Sequence, residues 1–78
     1  MIIDIHNKLE IMSNKDISYW LSSDDLSDFI SVLQLEFHVE VKECDVKYEN
    51  FGSVFQLAVY LTGKINDQLY SNTMKSFR

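Results

Sequence analysis

The sequence contains no proline, only two glycines and a single cysteine among its 78 residues. One cysteine excludes an intrachain disulfide and a Cys-x-x-Cys metal or redox motif. Two glycines are too few for a Gly-x-Gly-x-x-Gly nucleotide-binding loop. Without proline, repeats or low-complexity stretches there is no sign of a linker. We therefore expect residues 1–78 to form one small domain.

Long hydrophobic runs are also missing. The longest unbroken apolar run, Leu57 to Leu61, is far shorter than the roughly 20 residues that a membrane-spanning helix needs. The segment from Met1 to Asp4 lacks the positive charge and the apolar stretch of a signal peptide. Because Cys44 is also unpaired, we expect a cytoplasmic protein in a reducing compartment.

Catalytic and metal-binding patterns are sparse. Ligand pockets usually take about 300 Å³ or more, which a chain of this size rarely encloses. His38 lies between Glu36 and Glu40, but a metal site needs more converging ligands. For Cys44, a small buried apolar role is more common than nucleophilic catalysis. We predict a non-enzymatic protein without cofactor or metal.

The acidic residues are unevenly placed. The formal net charge is −5, from 12 acidic and 7 basic side chains. The whole of the excess lies between Asp16 and Glu49, where Lys42 and Lys47 are the only basic residues, whereas residues 51–78 are net positive. A negative segment repels phosphate, so we expect no direct binding of nucleic acid and an attraction to basic proteins. A merely solubilising surface is the alternative.

The first half of the chain predicts helices. Apolar residues at spacings of three and four favour a helix over residues 1–12, although its β-branched residues leave a strand open. Ser13 to Asp16 resembles a capping box for a short helix through Leu21, with Trp20 in the core. Ser22 to Asp25 predicts the cap of a second helix. The apolar faces of the first and the last of these helices comprise Ile2, Ile5, Leu9 and Met12, and Leu26, Phe29, Ile30 and Leu33.

The second half predicts a hairpin. Apolar and polar residues alternate from Leu33 to Lys42, which is typical of a half-buried strand. The alternation changes phase at Glu43, which indicates a bulge or a short turn. A tight turn ending at Gly52, with positive φ there, would pair this strand with residues 53–62.

A terminal helix is predicted after Gly63, which ends the second strand. Asn66 or Asp67 would cap it, and its last residues would fray. Its apolar face comprises Ile65, Leu69, Thr73 and Phe77. The predicted fold class is therefore α+β: two N-terminal helices, a long antiparallel β-hairpin with the N-terminus as an optional third strand, and a C-terminal helix, in two layers.

An acidic row is the functional hypothesis that this fold suggests. Alternate residues of a strand repeat at about 6.6 Å, comparable to the phosphate spacing of a nucleic acid strand. We predict a small protein-binding module that occupies the basic, nucleic-acid-binding surface of a larger partner, as phage-encoded, anti-restriction or anti-CRISPR inhibitors do. The candidate partner-binding residues are Tyr19, Asp24, Asp25, Asp28, Glu36, Glu40, Asp45 and Glu49.

Two other protein classes fit the same composition. One is an immunity protein or antitoxin for a basic nuclease, which would use the same acidic surface. The other is a homo-oligomeric accessory subunit, whose interface would be either an open edge of the hairpin or its second, partly apolar face. That face carries Val54, Ala58 and Tyr60.

Overall fold

The described part of the chain is entirely helical. The computed structural model describes the backbone of residues 1–13 and 15–76 and, within these, the side chains as far as Leu69. These residues form five α-helices and one 3₁₀ turn, without a β-strand, so the predicted α+β fold is wrong. The elements are α1 (Ile2–Met12), α2 (Ile17–Leu21), α3 (Leu26–Phe37), the 3₁₀ turn Glu43–Asp45, α4 (Tyr48–Phe51) and α5 (Val54–Ser76).

The N-terminal helices confirm the helical periodicity. Ile5 and Leu9 are buried on α1, with Ile2 and Met12 packed beside them, so the alternative of an N-terminal strand is wrong. The predicted capping box is also wrong, because Ser13 ends α1 and Asp16 is the residue that precedes α2.

At α3, Asp25 occupies the N-cap position without a capping bond from its own side chain. Its backbone N–H instead donates to Ser23 Oγ at 3.0 Å. Asp28 lies in the first turn of α3, where the positive end of the helix dipole favours a carboxylate. Asp25 is therefore the cap residue by position, Ser23 orders the turn that precedes it, and Asp28 contributes through its charge.

The first predicted strand is wrong because α3 continues to Phe37. Leu33 and Phe37 are four residues apart and both buried, as one helical face requires, whereas the side chain of Leu35 is 76% exposed. The apparent alternation over 33–37 therefore samples two sides of a helix. His38 ends α3 with a left-handed backbone, at φ 54°.

Only a short extended segment keeps the strand-like alternation. Val39 and Val41 follow α3 and are both buried. Side-chain amides supply hydrogen bonds that a neighbouring strand would otherwise give: the Val41 N–H donates to Gln34 Oε1 at 2.9 Å, and Gln68 Nε2 donates to the His38 carbonyl at 2.7 Å. With such partners, these backbone groups are hydrogen-bonded without a sheet.

The turn and the second strand are helical as well. The predicted turn is α4, and Gly52 has a negative φ of −79°. The Gln56 N–H donates to Ser53 Oγ at 3.1 Å, which satisfies a free amide at the start of α5. Gly63 lies inside α5 and does not end an element.

The prediction of a separate C-terminal helix is also wrong, since Ile65, Asn66 and Asp67 continue α5. Of the face predicted for it, Ile65 packs against the core, Leu69 is 55% exposed, and Phe77 lies outside the described residues. The fraying predicted for the last few residues lies beyond Leu69, the last residue whose side chain the structure describes.

The core lies along α5. Leu57, Ala58 and Leu61 are fully buried, while Phe55 and Val59 are 62% and 47% exposed. The spacing of the buried residues is that of a helix, which explains why both predicted strand faces were partly apolar. Both α1 and α4 pack on α5, and α2 packs on α4 and α3.

The two glycines predict opposite responses to alanine. A Cβ at Gly63 would meet no atom within 4 Å, whereas one at Gly52 would lie 2.6 Å from the Tyr48 carbonyl oxygen. We expect Gly63→Ala to raise the free energy of unfolding by about 0.5–1 kcal/mol. Gly52→Ala should lower it by about 1–3 kcal/mol. Urea unfolding of both variants tests this, and shifts of the same sign would contradict the described packing.

Candidate partner-binding surface

Ser13 fixes the corner between α1 and α2. It is a buried polar residue, and its Oγ donates to the Lys15 carbonyl at 2.6 Å. The same oxygen accepts the indole N–H of Trp20 at 3.0 Å and the backbone N–H of Lys15 at 3.4 Å. A buried hydroxyl with these partners holds the indole in one orientation.

Trp20 joins α2 to α3. Its ring stacks on Phe29, with centroids 4.7 Å apart and planes 3° apart; it is half-buried and packs against the core without being enclosed in it. Tyr19 meets Trp20 edge-on at 5.3 Å and is 45% exposed. The ammonium of Lys15 lies 4.9 Å from the centre of the Tyr19 ring. The predicted anchor Tyr19 is thus on the surface, beside a cation of its own chain.

A groove of about 400 Å³ opens next to this aromatic pair. It lies between the end of α1, α2 and the first half of α3, and is lined by Met12, Trp20, Asp25, Asp28, Phe29 and Val32. Its lining is therefore apolar except for two carboxylates. Asp25 and Asp28 are exposed, and neither forms an ion pair with any other described residue.

The exposed side of α3 extends this groove. Asp25, Asp28, Val32 and Leu35 follow one another at spacings of three and four, which places them on one side of the helix. Val32 is 48% exposed and Leu35 is 76% exposed. From Asp28 to Leu35 the helix rises about 10 Å. This surface, here called the groove face, is acidic at one end and apolar at the other.

A single ion pair marks the far end of the groove face. Lys8 Nζ on α1 lies 2.8 Å from Glu36 Oε1 on α3, and 5.7 Å from the centre of the Phe37 ring. Glu36, a predicted partner-binding residue, is therefore neutralised by a cation of the same chain. The pair also ties α1 to α3.

The three aspartates do not form one cluster. Asp24 lines a second groove, of about 570 Å³, whose other lining residues are Leu26, Ser27, Ile30, Val41, Glu43 and Val46. Asp24 and Asp25 are neighbours in the sequence but line different grooves. The structure brings Asp25 and Asp28 together in one groove, beside Trp20. Tyr19 contacts the other side of Trp20.

The acids predicted for the hairpin lie apart. Glu40 is exposed on the extended segment after α3. Glu49 Oε2 lies 3.6 Å from Lys47 Nζ, and Asp45 Oδ2 accepts the Tyr60 hydroxyl at 2.8 Å. Without a strand, nothing aligns these carboxylates at a regular spacing.

Tyr60 and Asp45 connect the 3₁₀ turn to α5. Burial raises the pKa of the Tyr60 hydroxyl well above its ordinary value, and its hydrogen bond to Asp45 raises it further. The apolar face predicted for a homo-oligomer is not formed, because Ala58 is fully buried and Val54 and Tyr60 pack against the core.

His38 and Cys44 have structural settings unlike those predicted. His38 occupies the left-handed end of α3, so it does not share a strand face with Glu36 and Glu40. Cys44 is exposed, which contradicts its predicted burial, and its Sγ lies 3.9 Å from Asp45 Oδ1. Within the described ranges, no three His, Cys, Asp or Glu side chains are grouped to hold a metal ion.

Sequence reasoning missed Met12 as a groove residue and Val32 and Leu35 as exposed ones. Leu35 was assigned to the buried face of a strand. The spacing of Val32 and Leu35 from Asp28 was a signal, since residues separated by four and seven share one side of a helix. It could be read only once α3 was known to continue past Leu33.

Comparison of the chain with protein-family models, curated proteins and solved structures gave no match. None of the helices searched in the described residues combines the length and the apolar character needed to cross a membrane.

Replacing Tyr60 by phenylalanine tests the bond to Asp45. We expect Tyr60→Phe to lower the free energy of unfolding at pH 8 by roughly 1–2 kcal/mol. Because the pKa is raised in the folded state, the stabilisation is complete below the unfolded value of about 10 and declines as the pH rises above it. The difference between the two proteins should therefore narrow above pH 10. Urea unfolding measures it, and a constant difference would contradict this assignment.

Proposed function

We propose that this chain is a small acidic binding protein that inhibits a larger protein by occupying a basic, nucleic-acid-binding surface. One observation carries the proposal: Asp25 and Asp28 border an apolar groove and have no ion pair within the described residues. Charges that are not neutralised by their own chain are available to a cationic partner.

The two parts of the groove have different tasks in this mechanism. The negative segment of the chain attracts a basic partner over a distance and speeds their encounter. The apolar lining, which includes Trp20, then supplies the contact that slows dissociation. Tyr19 contributes an exposed ring beside the rim.

The set of carboxylates that we assign to the partner contact is smaller than the predicted row of phosphate-like charges. Glu36, Asp45 and Glu49 each have a partner within the chain, so they contribute to the overall field more than to direct contacts. The proposal therefore centres on Asp25 and Asp28. Asp24 and Glu40 remain exposed acids at its margins.

This activity belongs to the class of phage-encoded inhibitors of nucleases and other nucleic-acid-binding proteins. An immunity protein or antitoxin for a basic nuclease would use the same chemistry. We place the function in the cytoplasm, because free, exposed thiols such as that of Cys44 are typical of proteins in reducing compartments.

Affinity capture with matched variants tests the proposal. The immobilised protein is exposed to a lysate of cells that produce it, at about 50 mM and about 300 mM salt. We expect it to retain basic proteins at the lower salt concentration and to lose most of them at the higher one, because exposed charges are screened. Asp25→Asn and Asp28→Asn should each reduce the retained amount severalfold.

Asp24→Asn is the matched control. It removes the same charge at the residue next to Asp25, but Asp24 lines the other groove. It should reduce capture less than either groove variant. Retained proteins that are not basic, or an equal loss in all three variants, would contradict the proposal. Circular dichroism and urea unfolding confirm that each variant is folded.

A further inference from the structure

The groove face has a shape that selects one kind of binding element. Beside it, the groove is lined by Val32 and Phe29 of α3, by Met12 of α1 and by Trp20 of α2. The Lys8–Glu36 and Lys8–Phe37 contacts show that α1 and α3 run in opposite directions, because Met12, one turn after Lys8, lies beside Phe29 and Val32.

An extended peptide is a poor match for this surface. Peptides that bind as strands pair with the free edge of a sheet, and the described residues contain no strand. The backbone of α3 is hydrogen-bonded within the helix, so a ligand meets only its side chains. These are spaced by three and four residues, which is also the spacing of the side chains on one face of a ligand helix.

Charge complementarity indicates the composition of that ligand helix. Asp25 and Asp28 lie one turn or more before Val32 and Leu35. A helix lying along α3 therefore meets carboxylates at one end and apolar side chains over the next two turns. The matching sequence has basic residues in one turn, followed by large apolar residues at spacings of three and four.

We infer that the groove face binds a basic amphipathic helix of the partner protein, with its apolar residues against Val32 and Leu35 and its cations against Asp25 and Asp28. The inference rests on the proposed function, because both assign the same carboxylates to a basic partner. It adds that the partner's binding element is helical, and that Val32 and Leu35 contribute as much as the acids.

Synthetic peptides test this inference with the full-length protein. The first is an alanine-based helix of about 16 residues, with two lysines in one turn and three leucines following at helical spacing. In the second, glutamine replaces the leucines; in the third, glutamine replaces the lysines. None contains tryptophan, so the fluorescence of Trp20, the only tryptophan of the chain, reports binding in the groove.

We expect the first peptide to bind at least about tenfold more tightly than either of the others. Val32→Gln and Leu35→Gln together should weaken it about tenfold, which corresponds to about 1.4 kcal/mol. Phe55→Gln is the matched control: it removes an exposed apolar side chain that lines a separate pocket with Ile2, Ile3 and His6, and should leave the affinity unchanged.

The peptides separate failure of this inference from failure of the proposed function. If the first two peptides bind equally and only the third is weaker, the acids bind cations but the helical, apolar contact is refuted. If the first and third bind equally, the apolar groove binds without the charges, and both the inference and the proposed function fail. Absence of binding by all three peptides would overturn the inference, while the capture experiment still decides the function.

Discussion

Burial of one face of α5 is the constraint on which the other helices depend. Leu57, Ala58 and Leu61 are completely excluded from solvent, and α1 and α4 pack against this helix. Helices as short as α2 and α4 are unstable alone in water, because few hydrogen bonds compensate for the cost of nucleation. They persist here because their apolar residues, Ile17 and Phe51, are buried in the same core. The long helix α5 thus provides the apolar face against which α1 and α4 pack, a role that a sheet has in a two-layer fold.

The groove results from a second, polar constraint. Ser13 lies where the chain turns from α1 into α2, and its bond to the indole of Trp20 sets the position of a ring that also stacks on Phe29. The corner therefore places Trp20 between the end of α1 and α3, while Lys8 and Glu36 join the two helices further along. The space between them remains open to a partner. The contacts that fix Trp20 at this corner therefore also shape the groove to which we assign the function.

The sequence predicts the N-terminal half better than the C-terminal half, for a physical reason. In α1 the apolar residues follow helical spacing alone, so Ile5 and Leu9 were assigned correctly. In the first turns of α5, apolar residues lie on almost every side of the helix, so the same sequence also fits the alternating pattern of a β-strand. The helix is decided by long-range packing on α1, which local patterns do not reveal. Of the candidate site, Asp25, Asp28 and Tyr19 could be foreseen from composition, whereas Val32 and Leu35 required the true length of α3.

The pairing of α1 with α5 has a consequence for how the protein is made. These are the first and the last helices of the described chain, and each covers the apolar face of the other. A ribosome releases α1 long before α5 has been synthesised. During that interval Ile5 and Leu9 lack the surface of α5 that covers them in the folded chain, and they are more open to chaperones or to other nascent chains. The contact between α1 and α5 can form only after translation has passed Leu61, so the apolar face of α1 is not covered by α5 until then.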